Sequence, residues 1–241
     1  MKSYLGCSGW YYEDWIKRFY PEDIKRSEWL SYYSKHFNTV EINSSFYRFP
    51  REKTLENWYQ RTPEDFKFTL KVNQSITHRK KFKNTGELLN NFYKLSDQLG
   101  DKLGCLLFQL PPNLKKNMEL LNNAAEQFND SKTNVMEFRH PSWYDEEVYD
   151  FLDDHDIIFC TVSVSDLPPD IAVINSQAYI RFHGTGEDER YQHLYSQQEL
   201  REWVDRIKKE DIHELYSYFN NDYHANAVLN CQQFKEILKD K

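Results

Sequence analysis

The sequence predicts an α/β fold, a single (β/α)8 barrel over residues 1–241 with an irregular sixth crossover. Three observations predict it. Short β-type runs recur along the chain, with helical segments between most of them. Charged and amide residues fall at or just past the C-terminal ends of those runs, where parallel α/β proteins build their sites. No G-x-G-x-x-G follows the first run, which removes the main reason to prefer an open, doubly wound sheet.

In order, strands are expected near 3–8, 38–43, 66–72, 104–110, 134–140, 157–164, 178–183 and 213–220. An aromatic loop, Trp10-Tyr11-Tyr12 through Tyr20-Pro21, follows the first strand and leads to a helix near 27–36. Further helices are expected near 52–61, 86–99, 117–128, 145–154, 197–209 and 224–238. Leu200, Trp203, Val204 and Ile207 recur at i, i+3, i+4 and i+7, the stripe a helix packs on a sheet. Ser196 with Glu199 forms a capping-box pattern at that helix's start. The sixth crossover differs. Pro168-Pro169 forbids a regular helix, so a loop and a short extended piece, Ile171 to Ile174, are expected. There is no linker, low-complexity tract or repeat beyond the βα period.

Side chains two apart on a strand share a face. Glu41 with Asn43, Glu137 with Arg139, and Arg181 with His183 therefore point inward, while Val40, Ile42, Met136, Phe138, Ile180 and Phe182 meet the helices. The plainer account of the polar set is a satisfied interior network, since buried charges persist when paired. Its convergence at one barrel mouth favours a site. His78, His140 and His183 sit at or beyond strand ends, but no local metal-ligand spacing occurs, and no metal or cofactor is expected. No G-x-S-x-G elbow is present. Gly184-Thr185-Gly186 occupies a phosphate-loop position after strand seven, although Glu187, Asp188 and Glu189 follow it.

Charged residues make up 29% of the chain and the formal net charge is −7, which argues against a broad basic surface for nucleic acid. The local exception is Arg79, Lys80, Lys81 and Lys83, most simply a solvated loop. Cys7, Cys105, Cys160 and Cys231 form no C-x-x-C pair and read as buried reduced thiols. Without a signal-type N-terminus or an apolar span of ~18 residues, a cytoplasmic location away from membranes is expected.

Seven segments together resemble the YecE-like family, domain of unknown function 72, across essentially the whole chain. They are Gly6-Cys7-Ser8-Gly9-Trp10 with Tyr12, Trp15 and Phe19-Tyr20-Pro21; Thr39 to Arg48; Thr77-His78; Gln109-Leu110-Pro111-Pro112; Glu137 to Trp143; Arg181-Phe182-His183-Gly184; and Tyr218-Phe219-Asn220-Asn221-Asp222. Cys7 stands where the family more often carries Thr. The resemblance implies a TIM-type barrel with these positions around a shared pocket, and it implies no particular reaction.

The reading that follows is an enzyme acting by acid/base chemistry on a small polar, anionic substrate at the C-terminal barrel mouth. Glu41 and Glu137 are the acid/base candidates, and His78, His140 and His183 the proton carriers. Arg139 and Arg181 are the expected anion clamps, because a guanidinium matches carboxylate or phosphate. Asn43, Lys71, Gln109 and Asn220 would orient the substrate, and Trp10, Tyr47 and Trp143 would wall it. The competing partner is nucleic acid, met by the 79–83 run and the aromatic loops of a repair-type barrel. A non-catalytic binding module is the third reading. The oligomeric state is left open.

Overall fold

Eight strands follow one another around the sheet in chain order: Lys2–Cys7 (β1), Thr39–Ile42 (β2), Lys67–Lys71 (β3), Leu103–Gln109 (β4), Thr133–Glu137 (β5), Ile158–Ser163 (β6), Gln177–Phe182 (β7) and Glu214–Phe219 (β8). Every pairing is parallel, and β8 returns to β1 to close a barrel. This computed structural model describes residues 1–185 and 191–240. The surrounding helices are Trp29–Tyr33 (α1), Ser44–Tyr47 (α2), Glu52–Gln60 (α3), Gly86–Ser96 (α4), Met118–Ala125 (α5), Glu146–Asp154 (α6), Gln197–Ile207 (α7) and Asn226–Lys239 (α8).

The predicted (β/α)8 barrel is therefore present, and the sixth crossover runs from β6 to β7 without a helix. Its one regular feature is an isolated antiparallel bridge between Ile174 and Gln177. The first helix is shorter than its periodicity predicts. Past Tyr33 the chain tightens into i→i+3 bonds, with Lys35 N donating to Tyr32 O at 3.1 Å and His36 N to Tyr33 O at 3.0 Å. Two rim turns had no sequence counterpart: the single turn α2, and a π-helical turn over Ser75–Arg79.

Strand alternation divides the core as expected. Val40, Ile42, Met136, Phe138, Ile180 and Phe182 lie in the large apolar layer shared with the helices, where α7 buries Leu200, Trp203, Val204 and Ile207. Each such side chain contributes roughly 1.5–3 kcal/mol. The capping box at Ser196 and Glu199 is formed. Inside the barrel, Leu107, Val135, Tyr179 and Tyr218 belong to a separate cluster. The Tyr218 hydroxyl lies 2.8 Å from Thr39 Oγ1 and 2.7 Å from Thr69 Oγ1, a polar layer beneath the mouth.

The β1–β2 seam pairs only Gly6 with Thr39 and Cys7 with Val40. Side chains complete it. Asn38 accepts from Leu5 N at 2.9 Å and donates to Ser3 O at 2.8 Å, standing in for a strand. The Tyr33 hydroxyl accepts from Cys7 N at 2.7 Å and donates to Thr39 O at 3.0 Å. Gly6 is required here, because a Cβ would lie 2.1 Å from the Thr39 carbonyl oxygen. All four cysteines are free and buried, as expected. No helix among the described residues is long and apolar enough to cross a membrane.

Candidate functional site

Four charged side chains meet inside the mouth: strand alternation delivers Glu41, Glu137 and Arg181, while Arg139 stands two residues past β5, which ends at Glu137 and not near 140 as expected. Arg181 on β7 donates from Nη1 to Glu137 Oε2 at 2.6 Å and from Nη2 to Glu41 Oε1 at 2.5 Å. Glu41 also accepts from Ser8 Oγ at 2.8 Å and from the Tyr179 hydroxyl at 2.6 Å. Gln109 faces Glu137 across the β4–β5 register and donates to its Oε1 at 2.8 Å. Arg139 Nε also donates to Glu137 Oε1, and Arg139 Nη2 reaches His183 Nε2 at 2.8 Å. A guanidinium only donates, so Nε2 of His183 accepts, and Nδ1 faces the Asn220 amide at 2.9 Å.

This network sets the electrostatics. Burial alone would raise the Glu137 carboxyl, but Arg139, Arg181 and Lys71 outweigh it and hold it at about 2. Burial likewise disfavours the charge on Arg181, yet Glu137 and Glu41 keep it firmly protonated. Glu137 is thus a permanent anion.

Above the network opens a cavity of about 520 Å³ whose walls include Lys71, His78, Gln109, Arg139, Asn220 and Asp222. The Lys71 amine, at the end of β3, has no hydrogen bond or ion pair among the described residues; Nζ lies 4.3 Å from the centre of the Phe46 ring. Burial and then the nearby Arg181 push its amine down to about 8, against the pull of Glu137 and Glu41. His78 projects from the π-helical turn, edge-on to Phe46 at 4.9 Å, with Nδ1 2.9 Å from Thr77 Oγ1. Burial and then Lys71 lower its imidazole to about 4, so it is neutral at pH 7. On Asp222, burial is the main cause of a rise to about 6; a backbone hydrogen bond opposes it and Asp14 adds to it.

The structure gathers Asn43, Tyr47, Lys71, His78, Gln109, Arg139 and Asn220 around the cavity, with His183 held beneath it by Arg139 and Asn220. Four expectations need correction. Arg181 also lines the cavity, but it is only 1% exposed and Glu137 and Glu41 hold its two Nη groups, so its charge is already spent on the network and little of it is left to clamp an anion. Glu41 and Glu137 are fully buried and saturated with donors, which removes them as proton carriers. His140 caps a short 3-10 turn, accepting from Ser142 N at 3.1 Å, and does not line the cavity. Trp143 is fully buried against Phe138 at 4.5 Å, its Nε1 donating to Leu114 O, so it is core and not wall.

Trp10 lines an adjacent cavity. Gly184 N donates to the Tyr195 hydroxyl at 2.8 Å and is not offered to a phosphate. Gly186, Glu187, Asp188 and Glu189 lie outside the described residues. Arg79, Lys80 and Lys83 are exposed, as a solvated loop requires. Sequence reasoning missed Tyr179, and it gave Ser8 and Asp222 no role beyond their place in the segments implied to surround a shared pocket. Tyr179 was findable, since it stands two residues before Arg181 on the same inward face. No group of three His, Cys, Asp or Glu among the described residues is arranged to hold a metal ion.

The chain and its fold have counterparts among known proteins. A family model described as "Protein of unknown function DUF72" matches residues 4–241. UPF0759 protein YunF of Bacillus subtilis (strain 168) is 29% identical over 272 residues, covering 98% of this chain and 94% of that protein. UPF0759 protein YecE of Escherichia coli (strain K12) is 25% identical over 146 residues, 58% of this chain and 50% of that protein. The crystal structure of a DUF72 family protein from Thermotoga maritima MSB8 superposes with TM-score 0.88 at 33% identity over 100% of both chains. One from Enterococcus faecalis V583 gives 0.85 at 20% identity, covering 99% of this chain and 96% of that one, a likeness of fold.

Proposed function

The chain belongs to the DUF72 family, whose description names no reaction, and from its own site we propose that it is an enzyme acting by proton transfer on a small anionic substrate. The observation that carries this reading is Lys71, a partly buried amine facing the cavity with no counter-ion among the described residues. Its charge is disfavoured by burial, and a bound phosphate, sulfate or carboxylate would relieve it. Arg139 supports the same group: its Nε and Nη2 are engaged, while Nη1 has no partner among the described residues and the side chain lines the cavity.

Proton transfer falls to the two wall groups driven toward neutrality from opposite directions, Asp222 at about 6 and Lys71 at about 8. Such values keep one group mainly basic and the other mainly acidic at pH 7. They act separately: Lys71 responds to Arg181, Glu137, Glu41 and Arg139, while Asp222 responds to Asp14. Neutral His78 would donate or accept a hydrogen bond without adding charge.

Calorimetric titration with inorganic sulfate and phosphate tests the reading. Lys71→Met is expected to weaken binding about tenfold or more, the loss of one charge-assisted contact. Lys80→Ala, outside the cavity, is expected to change it little. Equal binding by the wild type and Lys71→Met would remove the anion site.

A further inference from the structure

We infer that the substrate carries a flat apolar group, an arene or its equivalent, seated in a second cavity beside the anion site. This inference rests on the proposed anion site and specifies what is joined to the anion. The second cavity, about 450 Å³, is walled by Trp10, Tyr11, Tyr12, Ile42 and Trp58, with Asn43 at its edge. Tyr12 and Asn43 line both cavities, so one bound molecule can occupy the two together. Their sizes fall within the range of small-molecule sites.

Three of the walls, Trp10, Tyr12 and Trp58, are held in place by contacts. Trp58 on α3 meets Trp10 edge-on at 5.3 Å and stacks behind on Phe68 at 6.0 Å. The Trp10 carbonyl accepts from the Tyr20 hydroxyl at 2.5 Å, and the Tyr12 hydroxyl donates to Ser8 O at 2.7 Å. Gly9, between Ser8 and Trp10, has φ 110°, and a Cβ there would lie 2.8 Å from the Tyr12 hydroxyl. Rigid aromatic walls bind a ring at low entropic cost.

Little polar chemistry competes for the occupant. Ser8 Oγ is committed to Glu41. Ser44 adds an exposed hydroxyl at the wall, and Asn43 is the exception: its buried Oδ1 has no hydrogen-bond partner, at the junction of the two cavities. An O–H or N–H between ring and anionic group would satisfy it. Sequence reading expected an aromatic wall but drew it partly from Trp143, which the fold buries. Trp58, from a helix with no sequence signal for binding, takes that place.

Calorimetry with methyl phosphate and benzyl phosphate, equal in charge, tests the inference. The wild-type protein is expected to bind benzyl phosphate at least tenfold more tightly, and Trp58→Leu to erase that preference while leaving methyl phosphate affinity unchanged. Nuclear Overhauser contacts from the benzyl ring to the Trp10 and Trp58 indoles are expected in the wild type, whether or not the variant folds. Equal affinities, a preference that survives Trp58→Leu, or ring contacts elsewhere would each overturn the ring site and leave the anion site standing. Binding of neither compound would overturn both.

Discussion

Lys71 Nζ lies 4.3 Å from the Phe46 ring centre, and no carboxylate among the described residues pairs with it. Its amine is lowered from 10.5 to about 8, so between those values the unfolded chain holds a proton that the folded chain does not. Stability therefore rises with pH across that window. Below pH 8 the full cost remains, up to about 3 kcal/mol and less where water reaches the amine. Lys71→Met should raise Tm at pH 7, and the gain should shrink toward zero by about pH 10.5. Thermal unfolding at several pH values measures it; an unchanged or lower Tm at pH 7 would mean the lysine is satisfied in the free protein. The same variant should be more stable and bind anions less. At this scale the sequence showed which residues turn inward, since alternation places Glu41, Glu137 and Arg181 on one face. It did not show which cation stays available, because that depends on distances between strands.

At the scale of elements, β1 depends on side chains for part of its ladder. Asn38→Ala would strip the partner from Leu5 N and from Ser3 O at once. Two unsatisfied, partly buried backbone groups predict a loss of roughly 2–4 kcal/mol. Urea denaturation measures the loss, and hydrogen exchange should show the Leu5 amide opening faster. A loss below 0.5 kcal/mol would mean that water replaces the amide. Long elements were readable: α7 declared itself by its apolar stripe and capping box, and Pro168-Pro169 declared the missing sixth helix. The short rim turns α2 and Ser75–Arg79 were not. A single turn is too short to show a period, yet these turns carry Tyr47 and His78.

The whole molecule sets two cations, Lys71 and Arg139, at the barrel mouth of a negative protein. With net charge −7, its outer surface disfavours a polyanion, while a small anion can enter the mouth and meet Lys71 and Arg139. Sulfate keeps its charge across the neutral range, so its affinity reports on the protein. Affinity should fall modestly as Asp222 ionises around pH 6 and more steeply as Lys71 loses its proton around pH 8. Titrations between pH 5.5 and 9.5 test this. A flat profile would place the anion away from both groups.

Local sequence by itself determined the strand order, the alternation that turns the polar residues inward and the helices with a full period to display. Tertiary structure decided which of those polar residues remain available. Arg181 is spent on Glu137, 44 positions away, and on Glu41, 140 positions away; Lys71 meets no such partner among the described residues. Pairing and burial arise only when the barrel closes and distant strands come within hydrogen-bond reach, so no local pattern carries them.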